Sequence, residues 1–218
     1  MSTPSSTRTI GLLAYDDMQA LDLAGPLDVF GGANSLAPSA PPYELCVIGL
    51  QARPVRAENG LSIVPAHALS DVPPLDTLLI PGGAGARHAL NRNARLLEWL
   101  RERATDTRRI VSVCTGVYVM AAAGLVDGRR VTTHWRFADD LARRYPTLRV
   151  EADRLFLRDG RFATSGGLTA GMDLALALVE EDLGAPTALD VARHLVMYVK
   201  RPGNQAQFST PLAAQAHS

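Results

Sequence analysis

RIVSVCTGVYVMAAAGL, residues 109–125, is the stretch on which the fold turns. Arg109–Val113 is an apolar run behind a charged segment, the pattern of a strand buried on both faces. From Val117 to Leu125 the residues are small and apolar, which predicts a helix that Gly124 or Gly128 would end. Only Cys114, Thr115 and Gly116 separate the two, and the last two are small enough for a tight turn. A strand that passes into a helix this abruptly projects one side chain above the carboxyl edge of its sheet, where open α/β folds place ligands. The first turn of the helix adds free N–H groups and a positive dipole end, which lower a thiol pKa and can hold an oxyanion. Cys114 is therefore a candidate nucleophile with a depressed pKa; the alternative is a small buried apolar residue.

Outward from this turn, short apolar runs alternate with helical patterns. Strands are predicted at Ile10–Tyr15, Tyr43–Gly49, Thr77–Ile80 and Val131–Thr133. Helices are predicted at Leu23–Phe30 (with Gly31-Gly32 as its stop), Arg92–Arg103, Phe137–Tyr145, Ala170–Glu181 and Thr187–Tyr198. Leu155–Leu157 and Arg161–Ala163 flank Asp159-Gly160, a hairpin signal. Strands alternating with helices imply an α/β sandwich with a mainly parallel sheet. Residues 1–8 are expected to form a disordered tail, 9–202 one domain, and 203–218, small and polar, a tail or the start of a linker.

Three further stretches carry candidate chemistry. Pro81-Gly82-Gly83-Ala84-Gly85 follows the TLLI strand, where Gly82 and Gly83 can bring backbone N–H groups to a ligand, or can simply be a turn. Asp22 stands between two leucines just after the first strand and needs a partner if buried. It either caps the Leu23–Phe30 helix or shares a hydrogen bond with the Cys114 sulfur. Thr132-Thr133-His134-Trp135 follows a strand end; His134 is a candidate base for the cysteine or a structural hydrogen-bonder. His67, His88, His194 and His217 lack companions at metal-ligand spacing, so no metal site is expected. Cys46, inside an apolar strand, belongs to the core. Segments 53–57, 84–89 and 136–137 are where side chains setting ligand identity are expected.

The chain of 218 residues carries 22 Lys+Arg against 22 Asp+Glu, a net charge of zero. That balance disfavours an autonomous nucleic-acid binder or an anionic-membrane binder. Two cysteines are too few for a disulfide scaffold, and no run approaches the roughly 20 apolar residues of a membrane span, so a cytoplasmic location is expected.

In order and spacing, LDLAGPLDVF (21–30), LLIPGG (78–83), VSVCTGVYVMAAAGLVDGRRVTTHW (111–135) and TSGGLTAGMDLALALVE (164–180) resemble the ThiJ/PfpI superfamily, the class I glutamine amidotransferase-like proteins. The resemblance implies a flavodoxin-like three-layer αβα sandwich with a cysteine nucleophile elbow and no cofactor. It makes Cys114 the elbow cysteine, Asp22 its acidic partner, and the N–H groups of Gly83 and Thr115 an anion pocket. His134 falls at the family's histidine, and Gly82, Gly116 and Trp135 become ligand-binding candidates. VARHLVMYVKRPGNQAQFS (191–209) resembles the end of the sensing domain in GlxA-type AraC-family transcriptional regulators. This implies a homodimeric domain binding a small metabolite around Cys114, with DNA contacted only through a helix-turn-helix domain that these residues lack. Cys114, Asp22 and Thr115 also resemble the constellation of isonitrile hydratases, which implies as the alternative an enzyme making N-substituted formamides.

Overall fold

The computed structural model describes residues 7–207. Strand β1 (Arg8–Ala14) enters the middle of a parallel sheet, and helix α1 (Ala20–Leu36) follows. The helix starts three residues earlier than expected and runs through Gly31-Gly32 to Leu36. Each of these two glycines costs a helix about 1 kcal/mol relative to alanine, and burial of Leu23, Val29, Phe30 and Ala33 offsets that. Gly32 also admits a neighbouring helix, since a Cβ there would lie 3.2 Å from Val191 Cγ1. The stop is Pro38, which forces Ala37 into an extended conformation.

β2 (Tyr43–Gly49) leads to a small hairpin of β3 (Val55–Arg56) and β4 (Ser62–Ile63), then to β5 (His67–Ala68) at one sheet edge. β6 (Thr77–Ile80) is followed by α2 (Ala84–His88), α3 (Ala94–Asp106) and β7 (Arg109–Val113). After β7 a 3₁₀ turn, Cys114–Gly116, opens α4 (Val117–Ala122), shorter than expected. β8 (Arg130–Val131) pairs with β9 (Arg149–Val150) away from the main sheet, with α5 (Ala138–Arg144) between them. The expected hairpin forms from β10 (Phe156–Asp159) and β11 (Phe162–Ser165), with Gly160 at φ +62°. The chain returns through α6 (Thr169–Leu183) and α7 (Ala185–His194).

α7 stops before the expected Tyr198. Val196 adopts φ +55° while its N–H bonds to Arg193 and that of Met197 to Ala192, a Schellman closure without the usual glycine. Gly203–Gln207, expected to begin a tail, are tied to the body: Leu155 N–H donates to Gln205 O at 3.0 Å and Phe156 N–H to Gly203 O at 3.3 Å. The expectations for 1–6 and 208–218 fall outside the described residues.

Among the described residues the main sheet has seven strands in the order β10-β11-β7-β6-β1-β2-β5, parallel throughout except the β10–β11 edge. α1, α6 and α7 pack together as one layer and α2, α3 and α4 form the other, so the fold is the flavodoxin-like αβα sandwich. The chain winds from β1 outward through β2 to β5, then returns to β6 on the other side of β1. The crevice outside the carboxyl ends of β1 and β6 is thus a topological switch point. No helix among the described residues is long and apolar enough to cross a membrane.

Candidate active site

Four chain segments meet at that crevice: 18–22 after β1, 81–84 after β6, 114–116 after β7 and 166–168 after β11. Cys114 sits at φ +56°, the left-handed region, which a non-glycine residue occupies at a cost of order 1 kcal/mol or more. Its surroundings enforce the conformation. Thr133 Oγ1 donates to the Cys114 carbonyl at 2.9 Å. Gly167 presses directly on the cysteine: a Cβ there would lie 2.3 Å from Cys114 Cβ and 2.8 Å from Sγ. Gly116 lies under the turn, where a Cβ would meet Ile80 O at 2.1 Å.

Asp22 is fully buried in the first turn of α1 and does not cap it; the N-cap is Gln19. Its carboxylate instead reaches across the crevice. Oδ2 accepts from Gly82 N–H at 3.0 Å, Oδ1 accepts from Leu168 N–H at 2.7 Å, and the Cys114 thiol also bonds to it. Burial pushes the Asp22 pKa from 3.8 up to about 6, against the pull of these hydrogen bonds. Burial, and then the Asp22 charge, push the Cys114 thiol up as well, while Thr115 N–H and hydroxyl pull it down. The expected depressed thiol pKa is therefore corrected: a cysteine 7% exposed beside a carboxylate rests as a thiol, and its six-residue helix does not outweigh that. At neutral pH the pair holds one proton, on sulfur, donated toward Asp22. Cys46 lies in the core as expected, its thiol pushed up to about 11 by burial.

The glycine loop supports this pair. Tyr15, fully buried and kept neutral by burial, donates its hydroxyl to Pro81 O at 2.5 Å and Gly82 O at 2.9 Å. Gly83 N–H, expected in an anion pocket, donates to Thr115 Oγ1 at 2.9 Å, and Gly82 N–H is engaged by Asp22. Neither amide is available to a ligand. The donors facing the sulfur belong to Thr115.

Cys114, Thr115, Gly83, His134, Gln19 and Leu168 border a cavity of about 220 Å³. Glu58, Arg87, Arg136 and Phe137 complete its wall. His134 Nδ1 accepts from Arg136 N–H at 3.3 Å, so the neutral ring carries its proton on Nε2. Burial and Arg136 lower its pKa, which makes it a donor to a ligand rather than a base for the thiol. Trp135 is not in this cavity. It stacks on His134 with ring centroids 5.4 Å apart and borders a neighbouring hollow, and its backbone N–H donates to Gln207 Oε1 at 2.9 Å. No group of three or more potential metal ligands occurs among the described residues.

Gly167, Leu168 and Glu58 escaped the sequence reading. The first two lie inside a recognised motif, TSGGLTAGMD, where nothing signalled contact with a cysteine 53 residues earlier. Glu58 comes from the β3–β4 turn and is fixed by Ala84 N–H at 2.6 Å.

Residues 8–181 match the model of the DJ-1/PfpI family. The chain is 39% identical over 180 residues to an isonitrile hydratase of Pseudomonas putida, covering 82% of this chain and 74% of the hydratase. It is 30% identical over 206 residues to the HTH-type transcriptional regulator GbdR of Pseudomonas aeruginosa, covering 94% of this chain but only 54% of the regulator. A crystal structure of a ThiJ/PfpI family protein from Pseudomonas syringae superposes with a TM-score of 0.79 at 28% identity, over 97% of this chain and 85% of that one. The strand–turn–helix at Cys114, the acid that faces it and these matches agree: the chain belongs to the DJ-1/PfpI family.

Proposed function

We propose that the chain hydrates isonitriles to N-substituted formamides, with Cys114 as nucleophile and Asp22 as its acid/base partner. The observation that carries this is a buried thiol hydrogen-bonded to a buried carboxylate beside an open cavity. Asp22 takes the thiol proton as sulfur attacks the isonitrile carbon, and delivers it to that same carbon, giving a thioimidate, R–N=CH–S–Cys114. Water then adds to the carbon, with its proton passing to nitrogen. Collapse of the R–NH–CH(OH)–S adduct releases R–NH–CHO and restores the thiol. An acid with a pKa about 6 suits both directions of transfer near neutral pH. Thr115 N–H and hydroxyl stabilise developing charge on sulfur. Purified protein should convert cyclohexyl isocyanide to its formamide. Absence of turnover by wild-type protein would sink the enzymatic reading.

The acid/base role sets a pH dependence. Attack requires the Asp22 carboxylate, so kcat/KM should rise with pH through about 6 and then level. Asp22→Asn keeps an oxygen for one backbone N–H but turns an amide N–H₂ on the other. It should lower kcat/KM by about 10²–10⁴-fold and abolish that rise. A pH–rate profile of both proteins reads this directly.

A second reading is supported by the GbdR match, which spans nearly the whole chain. Under it the same cavity binds a metabolite without turnover, as the sensing domain of an AraC-family regulator acting as a homodimer. Tight ligand binding by a protein that turns over no isonitrile would favour it.

A further inference from the structure

Glu58, Arg87 and Arg136 line the Cys114 cavity, with the buried Asp22 bonded to Cys114 beside them, and these four charged residue types are unequally satisfied. The two acids are already answered from within the chain: Asp22 by Gly82 and Leu168 N–H groups, Glu58 by Ala84 N–H. The two guanidiniums are not. Neither Arg87 nor Arg136 has a carboxylate oxygen within 4.0 Å among the described residues, whereas Arg108, Arg109 and Arg201 all do. Arg87 is half-buried, and its Nε is fully covered yet makes no hydrogen bond. What holds Arg87 is the ring of Phe137, 4.1 Å from the guanidinium carbon, a contact that fixes the cation without using its N–H groups. Arg136 is exposed at the rim, and its charge is felt inside, where it lowers the His134 pKa.

A half-buried guanidinium held by stacking, with its donors unanswered, fits a planar anion. We infer that this cavity takes a ligand bearing a carboxylate, bound by Arg87 with Arg136 contributing from the rim, while the rest of the ligand reaches Cys114. The inference rests on the reading of this cavity as the ligand site, and it names the class: carboxylate-bearing isonitriles if the protein turns over, small carboxylate metabolites if it only senses. It also gives α2, a helix the sequence patterns did not reveal, a role in specificity.

The test separates this from the question of turnover. Binding of N-formylglycine, the hydration product of isocyanoacetate, is measured by titration calorimetry against N-formylglycinamide, its uncharged counterpart. Wild-type protein should bind the acid at least about tenfold more tightly, and salt should weaken only the acid. Arg87→Met should remove most of that preference, and Arg136→Met, with a solvated charge, only a few-fold of it. If Arg87→Met fails to fold, the acid–amide comparison and its salt dependence in wild-type protein decide alone. Equal binding of acid and amide, or binding of neither, overturns the inference. Turnover of cyclohexyl isocyanide without acid preference would overturn it while leaving the hydratase reading intact; acid preference without any isonitrile turnover does the reverse.

Discussion

Cys114→Ala will lose isonitrile turnover by about 10³-fold or more, because no other side chain at the site can form the thioimidate. Thr115 carries the neighbouring hydroxyl, but its oxygen already accepts from Gly83 N–H and an aliphatic hydroxyl is far less acidic than a thiol, so it cannot stand in. The loss will not come from unfolding. Alanine fills the same φ +56° position at the same backbone cost, Gly167 still packs on the Cβ, and only the sulfur is removed. Cys114→Ser is the sharper variant: it keeps the volume and a donor to Asp22 but replaces the thiol with a hydroxyl of far higher pKa. It should be folded and nearly as inactive. Cyclohexyl isocyanide turnover by either variant above a tenth of wild type would remove Cys114 from the chemistry.

The second large effect lies at the opposite end of the sheet. Arg109, at the amino end of β7, is 2% exposed; its Nη2 donates to Asp182 at 2.6 Å and its Nε to Thr77 Oγ1 at 3.0 Å. Asp182, at the end of α6 with its side chain 1% exposed, also receives Arg108 at 2.8 Å and the Tyr43 hydroxyl at 3.1 Å. Asp182→Leu leaves the Arg109 guanidinium buried with only Glu181 at 3.4 Å and Asp76 at 3.7 Å nearby. Breaking one side of such a pair costs about 3–5 kcal/mol, a large fraction of the roughly 5–15 kcal/mol that holds a domain folded. Adding Arg109→Met to Asp182→Leu should recover most of the loss, since an apolar pair of similar volume carries no stranded charge. Urea unfolding of the single and double variants measures both. A single variant as stable as wild type would mean that the cluster is not a structural clamp. The protein that remains folded should keep its wild-type turnover, because Cys114 is at the other end of β7.

The parts of the molecule that were legible beforehand share one property: each is written in consecutive residues. β2, β6 and β7 appear with the expected ends because continuous apolar runs have only one place in a parallel sheet. Cys114 was legible because strand, turn and helix are contiguous. What was not legible depends on contacts from far along the chain. The length of α1 is decided by the helices it packs on, and the α7 ending by a left-handed valine. The pull of a helix start on the thiol was readable; the burial and the carboxylate 92 positions away that overcome it were not. Asp22 was singled out for the right reason, a carboxyl among leucines, yet which partners it would find required the sheet to be assembled.

The raised pKa of Asp22 has a consequence for the folded state itself. In the unfolded chain this carboxyl titrates near 3.8, and in the folded chain at about 6. Between those values the folded protein holds a proton that the unfolded chain releases, so folding stability falls as pH rises through this window. Over the two-odd pH units the loss is roughly 3 kcal/mol from this one group, complete above pH 6. The carboxyls of Asp76 and Asp140, held low by Arg108 and by Tyr118 with Arg144, act the other way, weakening the fold only as pH drops below their unfolded range. His134, whose pKa burial and Arg136 lower, works against Asp22 within this window, so the Asp22 contribution is read as the difference between wild-type protein and Asp22→Asn in the change of denaturation midpoint from pH 5 to 7.5. Turnover and the Asp22 contribution to stability then have opposite slopes across the same interval. The proton that must leave Asp22 for the chemistry to begin is one that the fold binds more tightly than the open chain does.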